Sequence, residues 1–265
     1  MRKEFKPLTK REPEKRLTFR LKRNSGRNNQ GRITVRHKGA GVKNMYRIID
    51  FGQTKMDAPA KVIAVEYDPF RTAFLCLLEY EDKCKKYEIC PEGMKVGDSI
   101  VCKDAVEIKI GNRMRLKNIP AGTQVYNIEL EPGRGGKAVR SAGSSAKVMD
   151  QEGKFTQLIF PSTEVRMIPN ECFASVGQVS FAEHKFMNAR KAGVFRHKGI
   201  RPRVRGTAMN PCDHPHGGGE GRTTTGLKHP KTPWGKNAYG VKTRKRKWSD
   251  QFVIQRRKIQ RRKKK

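Results

Sequence analysis

Basic side chains crowd the two ends of this chain and leave its middle almost neutral. Residues 1–47 carry 16 Lys and Arg against 3 Asp and Glu, residues 48–200 carry 23 against 19, and residues 201–265 carry 20 against 3, giving net charges of +13, +4 and +17. Flanks of this kind repel themselves and attract dense anions, which argues against an ordinary small-metabolite enzyme and for a polyanion such as nucleic acid. An anionic membrane surface is the other partner that such charge fits. Crossing a bilayer takes about 20 consecutive apolar residues, and stretches such as Ala73 to Leu78 are far shorter, so no membrane span is expected, and nucleic acid, with no membrane, is the expected partner. No apolar h-region follows MRKEFKPLTK, so no secretory signal is expected. The near-neutral middle has room for one or two small cores.

Within that middle the runs are short and β-rich. RITVRH, MYRIIDFG, PAKVIAVEYD, TAFLCLLEYED, CKKYEIC and DSIVC follow one another from residue 32, most of them bounded by Gly, Pro or Asp. Short strands at this spacing predict a small antiparallel barrel over about 31–104. IPAGTQVYNIELEPG, KAVRSAGSSAKVMDQEG, KFTQLIFPSTEVRMI and ASVGQVSF predict a second one over about 118–182. The best helix signal is AEHKFMNARKAG, two or three turns stopping at Gly193. Met1 to Gln30 has no sustained apolar period and reads as an extended arm.

After Ala192 the composition changes again. Eight glycines lie between Gly193 and Gly226, and between Arg205 and Arg222 the apolar side chains beyond Gly and Pro are Ala208, Met209 and Cys212. Such a segment buries too little surface to offset an ordering entropy of about 1–2 kcal/mol per residue, so it is expected to lack a core and to order against a partner. The six cysteines, Cys76, Cys84, Cys90, Cys102, Cys172 and Cys212, contain no C-x-x-C pair and no two are within zinc-ligand spacing. They read as small buried hydrophobes, and no metal or cofactor is expected beyond Mg2+ held by an RNA partner.

Three constellations carry chemistry. In SGRNNQGRITVRHKGAG, Arg27, Arg32, Arg36 and Lys38 alternate with Gly26, Gly31, Gly39 and Gly41, so that backbone N–H groups can approach phosphates while guanidinium forks pair with them. The bland alternative is a turn with surface basics. EPGRGGKAVRSAG sets Arg134, Lys137 and Arg140 around Gly133, Gly135 and Gly136, without the G-K-S/T ending or βαβ setting of a nucleotide loop. The third, RPRVRGTAMNPCDHPHGGGEGR, holds Asp213, His214, His216 and Glu220, which could in principle ligate a metal or run acid–base chemistry. A catalytic histidine needs a rigid supporting shell that this segment is not expected to build, and a neutral ring also serves RNA by stacking or by bonding to a ribose hydroxyl. Trp234 and Tyr239 lie among Lys231, Lys236 and Lys242, an arrangement suited to base stacking, although a Trp after Pro is otherwise a loop anchor.

AGTQVYNIELEPGRGG, RSAG, RPRVRGTAMNPCDHPHGGGEGR, KTPWG and KTR, in this order and with GRNNQGRITVRHKGAG, resemble the bacterial-type ribosomal protein L2 family of the large subunit. The likeness runs from Asn24 to Lys258, and its motifs are long and specific. It implies an all-β chain: a basic N-terminal extension at 1–30, an OB-like RNA-binding barrel at 31–108, an SH3-like barrel at 109–192 and a glycine-rich basic C-terminal extension at 193–265. It also implies a structural component that binds 23S-type rRNA near the peptidyl transferase region and supports subunit association, tRNA binding and peptide-bond formation. Other large-subunit proteins, the small subunit at an intersubunit bridge and, indirectly, tRNA are the further partners implied, in the ribosome of a bacterial cytoplasm or of an organelle.

Carried over position by position, the resemblance places rRNA contacts at Gly26, Arg27, Asn28, Arg32, Arg36, His37, Lys38 and Lys43, and at Arg134, Lys137 and Arg140. It extends them to Arg190, Lys191, Arg201, Arg203, Arg205, Asn210, His214, His216, Arg222, Trp234, Lys242 and Arg244. His214 is the histidine that the family links to peptidyl transfer, taken here as positional support, so no catalytic residue and no enzyme activity are assigned. Tyr126 stands where the family pattern has His, Ala40 and Val42 interrupt a Gly run, Cys212 replaces Val, and the N-terminal arm is shorter. A metal-dependent hydrolase using His214, His216 and Glu220, and a general nucleic-acid-coating protein, are the competing readings.

Overall fold

The computed structural model describes residues 8–10, 12–221, 223–243, 245 and 247–257. The chain forms two compact units, one of Met1–Leu21, Asn44–Asn188 and Ser249–Lys265, the other of Lys22–Lys43 and Ala189–Trp248. The fold is all-β, with an OB-like part followed by an SH3-like part, both within the first unit.

In the first unit β1 (Thr18–Arg20) pairs antiparallel with β2 (Met45–Arg47). β3 (Ala60–Tyr67), β4 (Phe74–Tyr80), β5 (Lys85–Ile89) and β6 (Ser99–Ile100) form a sheet in the order β5-β4-β3-β6. Strict alternation explains why β4 is apolar almost throughout. Phe74, Cys76, Leu78 and Tyr80 pack on one side with Val62, Val65 and Ile100, while Leu75 and Leu77 pack on the other with Ile49, Ala64 and Tyr87. A register shift between Val62 and Ala64 turns two successive residues, Ile63 and Ala64, toward that second side. Fully burying a Leu or Val is worth about 1.5–3 kcal/mol, so this sheet is held from both faces.

The second sheet contains β7 (Arg113–Arg115), β8 (Gln124–Tyr126), β9 (Ala146–Glu152), β10 (Phe155–Ile159), β11 (Val165–Pro169), β12 (Phe173–Val176) and β13 (Val253–Gln255), in the order β13-β11-β10-β9-β8-β12-β7. It curls around Met114, Leu116, Ile119, Val125, Ile128, Val148, Leu158 and Ile168, all nearly inaccessible to water. Ala73, Ile89, Tyr126 and Val179 form a smaller cluster that draws on both sheets. The buried Tyr126 ring takes the place where the family pattern has His.

Several expectations are corrected. RITVRH forms no strand. Thr34 and Val35 both donate backbone N–H bonds to the Gly26 carbonyl, at 2.9 and 3.0 Å, and that fold-back, with an isolated antiparallel bridge between Arg27 and Ile33, leaves Ile33 and Val35 exposed. The helix expected over AEHKFMNARKAG is a 3-10 turn at Ala182–Phe186, a break, and then α1 (Ala192–His197), which runs through Gly193 instead of stopping there. The amino-terminal arm contributes a 3-10 turn, Lys15–Leu17, and β1. β13 adds a strand from the basic C-terminal stretch to the edge of β11, with Val165 opposite Gln255. Cys76, Cys90, Cys102 and Cys172 are buried as expected, Cys84 is half-buried and Cys212 is exposed. No helix among the described residues is long and apolar enough to cross a membrane.

Candidate nucleic-acid interface

The second unit joins two basic segments that lie far apart in sequence. Gly39 N donates to the Gly199 carbonyl at 2.7 Å, Val42 N to His197 at 2.9 Å and Arg201 N to His37 at 3.0 Å, while Lys38 and Ile200 form an antiparallel bridge. His37 adds a side-chain bond, its Nδ1 donating to the Pro202 carbonyl at 3.1 Å. These pairings set residues 37–42, which follow the GRNN loop, beside the start of the Arg201–Arg205 stretch. The loop is self-built: Asn28 Oδ1 accepts the Arg32 N–H at 2.9 Å, and Asn28 N donates to the Arg32 carbonyl at 3.0 Å. Gly26, at φ +77°, is required here because a Cβ would lie 2.3 Å from the Val35 carbonyl oxygen. Arg27, Arg32, Arg36, Lys38, Arg201, Arg203 and Arg205 are exposed and have no carboxylate partner among the described residues.

The NPCDHPHGGG segment has an interior after all, which revises the expectation of a coreless thread. His214 and His216 are 7% and 9% exposed, with ring centroids 4.8 Å apart. His214 Nδ1 accepts the His216 N–H at 3.1 Å, and His216 Nε2 accepts the Lys231 N–H at 2.9 Å. Both accepting nitrogens must therefore carry lone pairs, which fixes the tautomers as Nε2–H for His214 and Nδ1–H for His216. Asn210 closes the loop through its carbonyl, which accepts from Asp213 N and His214 N at 3.0 and 3.2 Å. Gly217 is there for close approach, since a Cβ would lie 2.2 Å from the Asn210 oxygen. These rings shape the loop and cannot stack on a base without leaving their seat. Among the described residues no three of His, Cys, Asp or Glu gather as a metal site.

In the first unit Arg134, Lys137 and Arg140 lie on a loop fixed from below by a buried ion pair. Arg113, with no exposed surface, contacts Glu129 at 3.0 Å, and Glu129 Oε2 accepts the N–H of Gly133 at 3.3 Å and of Phe173 at 3.1 Å. Gly136 N then donates to the Phe51 carbonyl at 2.9 Å, which docks the loop against the OB-like part. The result is a cleft of about 540 Å³ lined by Tyr46, Phe51, Phe70, Arg71, Thr72, Lys137, Val139, Arg140 and Ser141. Arg140 lies 4.4 Å over the Phe51 ring and Arg71 lies 4.8 Å over Tyr46. Arg71 pairs with Asp68 at 2.5 Å, whereas Arg140 has no carboxylate partner among the described residues and donates to the Gly136 carbonyl at 3.1 Å. Burial and the nearby Arg71 charge both act against the positive form of Arg140, and an anion entering the cleft would offset them by direct attraction.

The residues singled out by sequence therefore divide between the two units. Gly26, Arg27, Asn28, Arg32, Arg36, His37, Lys38, Lys43, Arg190, Lys191, Arg201, Arg203, Arg205, Asn210, His214, His216, Trp234 and Lys242 belong to the second unit; Arg134, Lys137 and Arg140 belong to the first. Arg222 and Arg244 lie outside the described residues. Tyr46, Phe51, Phe70 and Arg71 were not singled out, because no glycine-basic cluster marks them. The one local signal is Asp68, whose side chain accepts the Phe70 N–H at 2.9 Å and pairs with Arg71, a turn that aims the guanidinium at the cleft.

A family model described as Ribosomal Proteins L2, RNA binding N-terminal domain, matches residues 14–102, and one described as Ribosomal Proteins L2, C-terminal domain, matches residues 109–235. The basic, glycine-pinned loops and the arginine cleft lie within the matched residues, and the two matches span most of the chain. The chain belongs to the ribosomal protein L2 family and is a structural RNA-binding component of the large ribosomal subunit.

Proposed function

We propose that the chain is a primary 23S-type rRNA-binding protein that works near the peptidyl transferase region. There it supports subunit association, tRNA binding and peptide-bond formation while the RNA supplies the reaction centre. In this reading the barrels at 31–108 and 109–192 are the anchor, and the extensions at 1–30 and 193–265 thread the RNA. Contacts with the small subunit at an intersubunit bridge, with other large-subunit proteins and indirectly with tRNA follow from that position. The ribosome in question is that of a bacterial cytoplasm, with an organellar ribosome as the alternative. No enzyme activity is assigned to the polypeptide.

One observation carries the reading: the backbone pairing of 37–42 with 197–201, which brings into one unit two distant stretches whose arginines have no carboxylate partner among the described residues. Arginine forks pair with phosphates two bonds at a time, and their summed charge makes binding salt-dependent. The Arg140 cleft fits the same partner, with aromatic walls for a base and a cation for its phosphate. His214 and His216 contribute by holding the Asn210 loop in shape.

The test is a salt titration of binding to a 23S-type rRNA transcript, with duplex DNA of equal length as competitor. Log K is expected to fall linearly with log salt. Replacing Arg201, Arg203 and Arg205 together by Ala should make the slope shallower by about 0.7–0.9 for each phosphate that is no longer neutralised. A flat salt response, or equal binding to DNA and rRNA, overturns the reading.

A further inference from the structure

The indole of Trp234 is not a loop anchor. An anchoring Trp after Pro would be covered, yet Trp234 is 74% exposed. It lies at the turn of a small hairpin whose backbone is bonded at three places: Thr232 N to the Lys236 carbonyl at 2.7 Å, Gly235 N to Thr232 at 2.9 Å and Ala238 N to Pro230 at 2.8 Å. Lys231 and Asn237 form an antiparallel bridge there and a side-chain bond at 2.7 Å. The root is fastened as well, since Lys231 N donates to the buried His216 ring. A large apolar ring is thus held out in water on a rigid mount, an arrangement that sacrifices the burial an indole would otherwise gain.

One side of the ring is supported. The Arg36 guanidinium, from the GRNN side of the same unit, lies 5.5 Å from the indole centroid and has no carboxylate partner among the described residues. No other ring or cation lies over Trp234 among the described residues, so the remaining surface is available to a flat ligand.

We propose that Trp234 is a stacking platform for one unpaired RNA base, with Arg36 positioned to take that nucleotide's phosphate. The proposal rests on the RNA-binding reading and narrows it to a single-stranded or bulged element, because a base within a continuous duplex has both faces occupied. Base–aromatic stacking is tolerant of sequence, so the platform should select for an unstacked base and not for base identity.

The test uses the full chain with a 12-nucleotide oligoadenylate, a 12-base-pair RNA duplex and a 12-unit oligomer lacking bases. Trp234→Ala should weaken oligoadenylate binding by about five- to hundredfold and leave the duplex and the baseless oligomer unaffected, with Trp234→Phe recovering most of the loss. The chain has two tryptophans, so in a Trp248→Phe background the remaining indole emission should be quenched by oligoadenylate and not by the baseless oligomer. Because the side chain is exposed, truncation should leave folding intact. If Trp234→Ala binds oligoadenylate like the wild type while salt-sensitive rRNA binding persists, the platform is overturned and the broader reading stands. If wild-type binding to rRNA is absent, both fall.

Discussion

The first unit hides four apolar clusters and an arginine with no exposed surface, whereas the only buried side chains of the second unit among the described residues are His214 and His216. Charge divides the same way. The first unit has 36 basic against 23 acidic residues and the second has 23 against 2, net +13 over the larger unit and +21 over the smaller. One unit is therefore ordered by hydrophobic burial, which works in plain buffer. The other is ordered by backbone hydrogen bonds worth about 1 kcal/mol each and by glycines that permit close approach, against the repulsion of its own cations. The contrast separates the part that makes the shape from the part that meets the polyanion.

The largest expected effect belongs to the first unit. Glu129→Ala leaves Arg113 buried without its counter-charge, and losing one partner of such a pair costs about 3–5 kcal/mol. Denaturant unfolding should show that loss. The Arg134–Arg140 loop should loosen with it, because Gly133 N gives up its acceptor on Glu129. A change below about 1 kcal/mol, the scale of a single ordinary hydrogen bond, would mean that the pair does not organise this unit.

A second effect is a pH slope confined to the first unit. Burial pushes the Glu88 carboxyl up to about 8 from an ordinary value of 4.5, the bond from Gln53 holding it down in part and the Asp50 charge adding to the rise. The folded state therefore holds a proton that the unfolded chain has already released. The corresponding stability is fully present below about pH 4.5 and is lost as pH rises to about 8, by at most about 1.4 kcal/mol per pH unit. Thermal melts across this range should show the decline, and Glu88→Gln should flatten it. An unchanged slope in that variant would remove Glu88 as the cause.

The smallest effect is local to the second unit. Gly217→Ala brings a methyl to 2.2 Å from the Asn210 carbonyl oxygen, and overpacking of this kind costs about 1–3 kcal/mol. Hydrogen exchange should speed up at Gly217 and Gly218, while the unfolding of the first unit stays where it was. If both units shift together, they are not separately ordered.

The strands of the first unit were legible because their information is local. β4 announces itself by a nearly unbroken apolar run with an aromatic residue at each end and turn residues beyond, Asp68-Pro69 before it and Glu81-Asp82 after, and each of those signals sits within about a dozen residues. β7 (Arg-Met-Arg) and β13 (Val-Ile-Gln) are three residues long, too short to show a period of their own, so they exist only because a neighbouring strand offers its edge. The candidate surfaces were half legible. Glycine-basic clusters mark the GRNN and GRGG loops, but the cleft at Arg140 is assembled from residues near 46–51, 70–72 and 137–141, and no short window contains it. The burial of His214 and His216 was hidden for a related reason. Their cover comes from Gly206 and their bonding from Lys231, and composition could report only that the segment lacks aliphatic side chains.

The bridge between Lys38 and Ile200 also sets a clock. At synthesis rates of about 5–20 residues per second, the arm carrying Arg27, Arg32 and Arg36 leaves the exit tunnel roughly 8–30 seconds before its partner strand exists. Closing so long a loop early is entropically costly, and prior folding of the intervening barrels shortens it. Closure of the second unit therefore waits until the chain has passed residue 200. During the wait its first half is an open, wholly basic ribbon, so the order of birth along the chain leaves this ribbon free to engage RNA before the loop around it can shut.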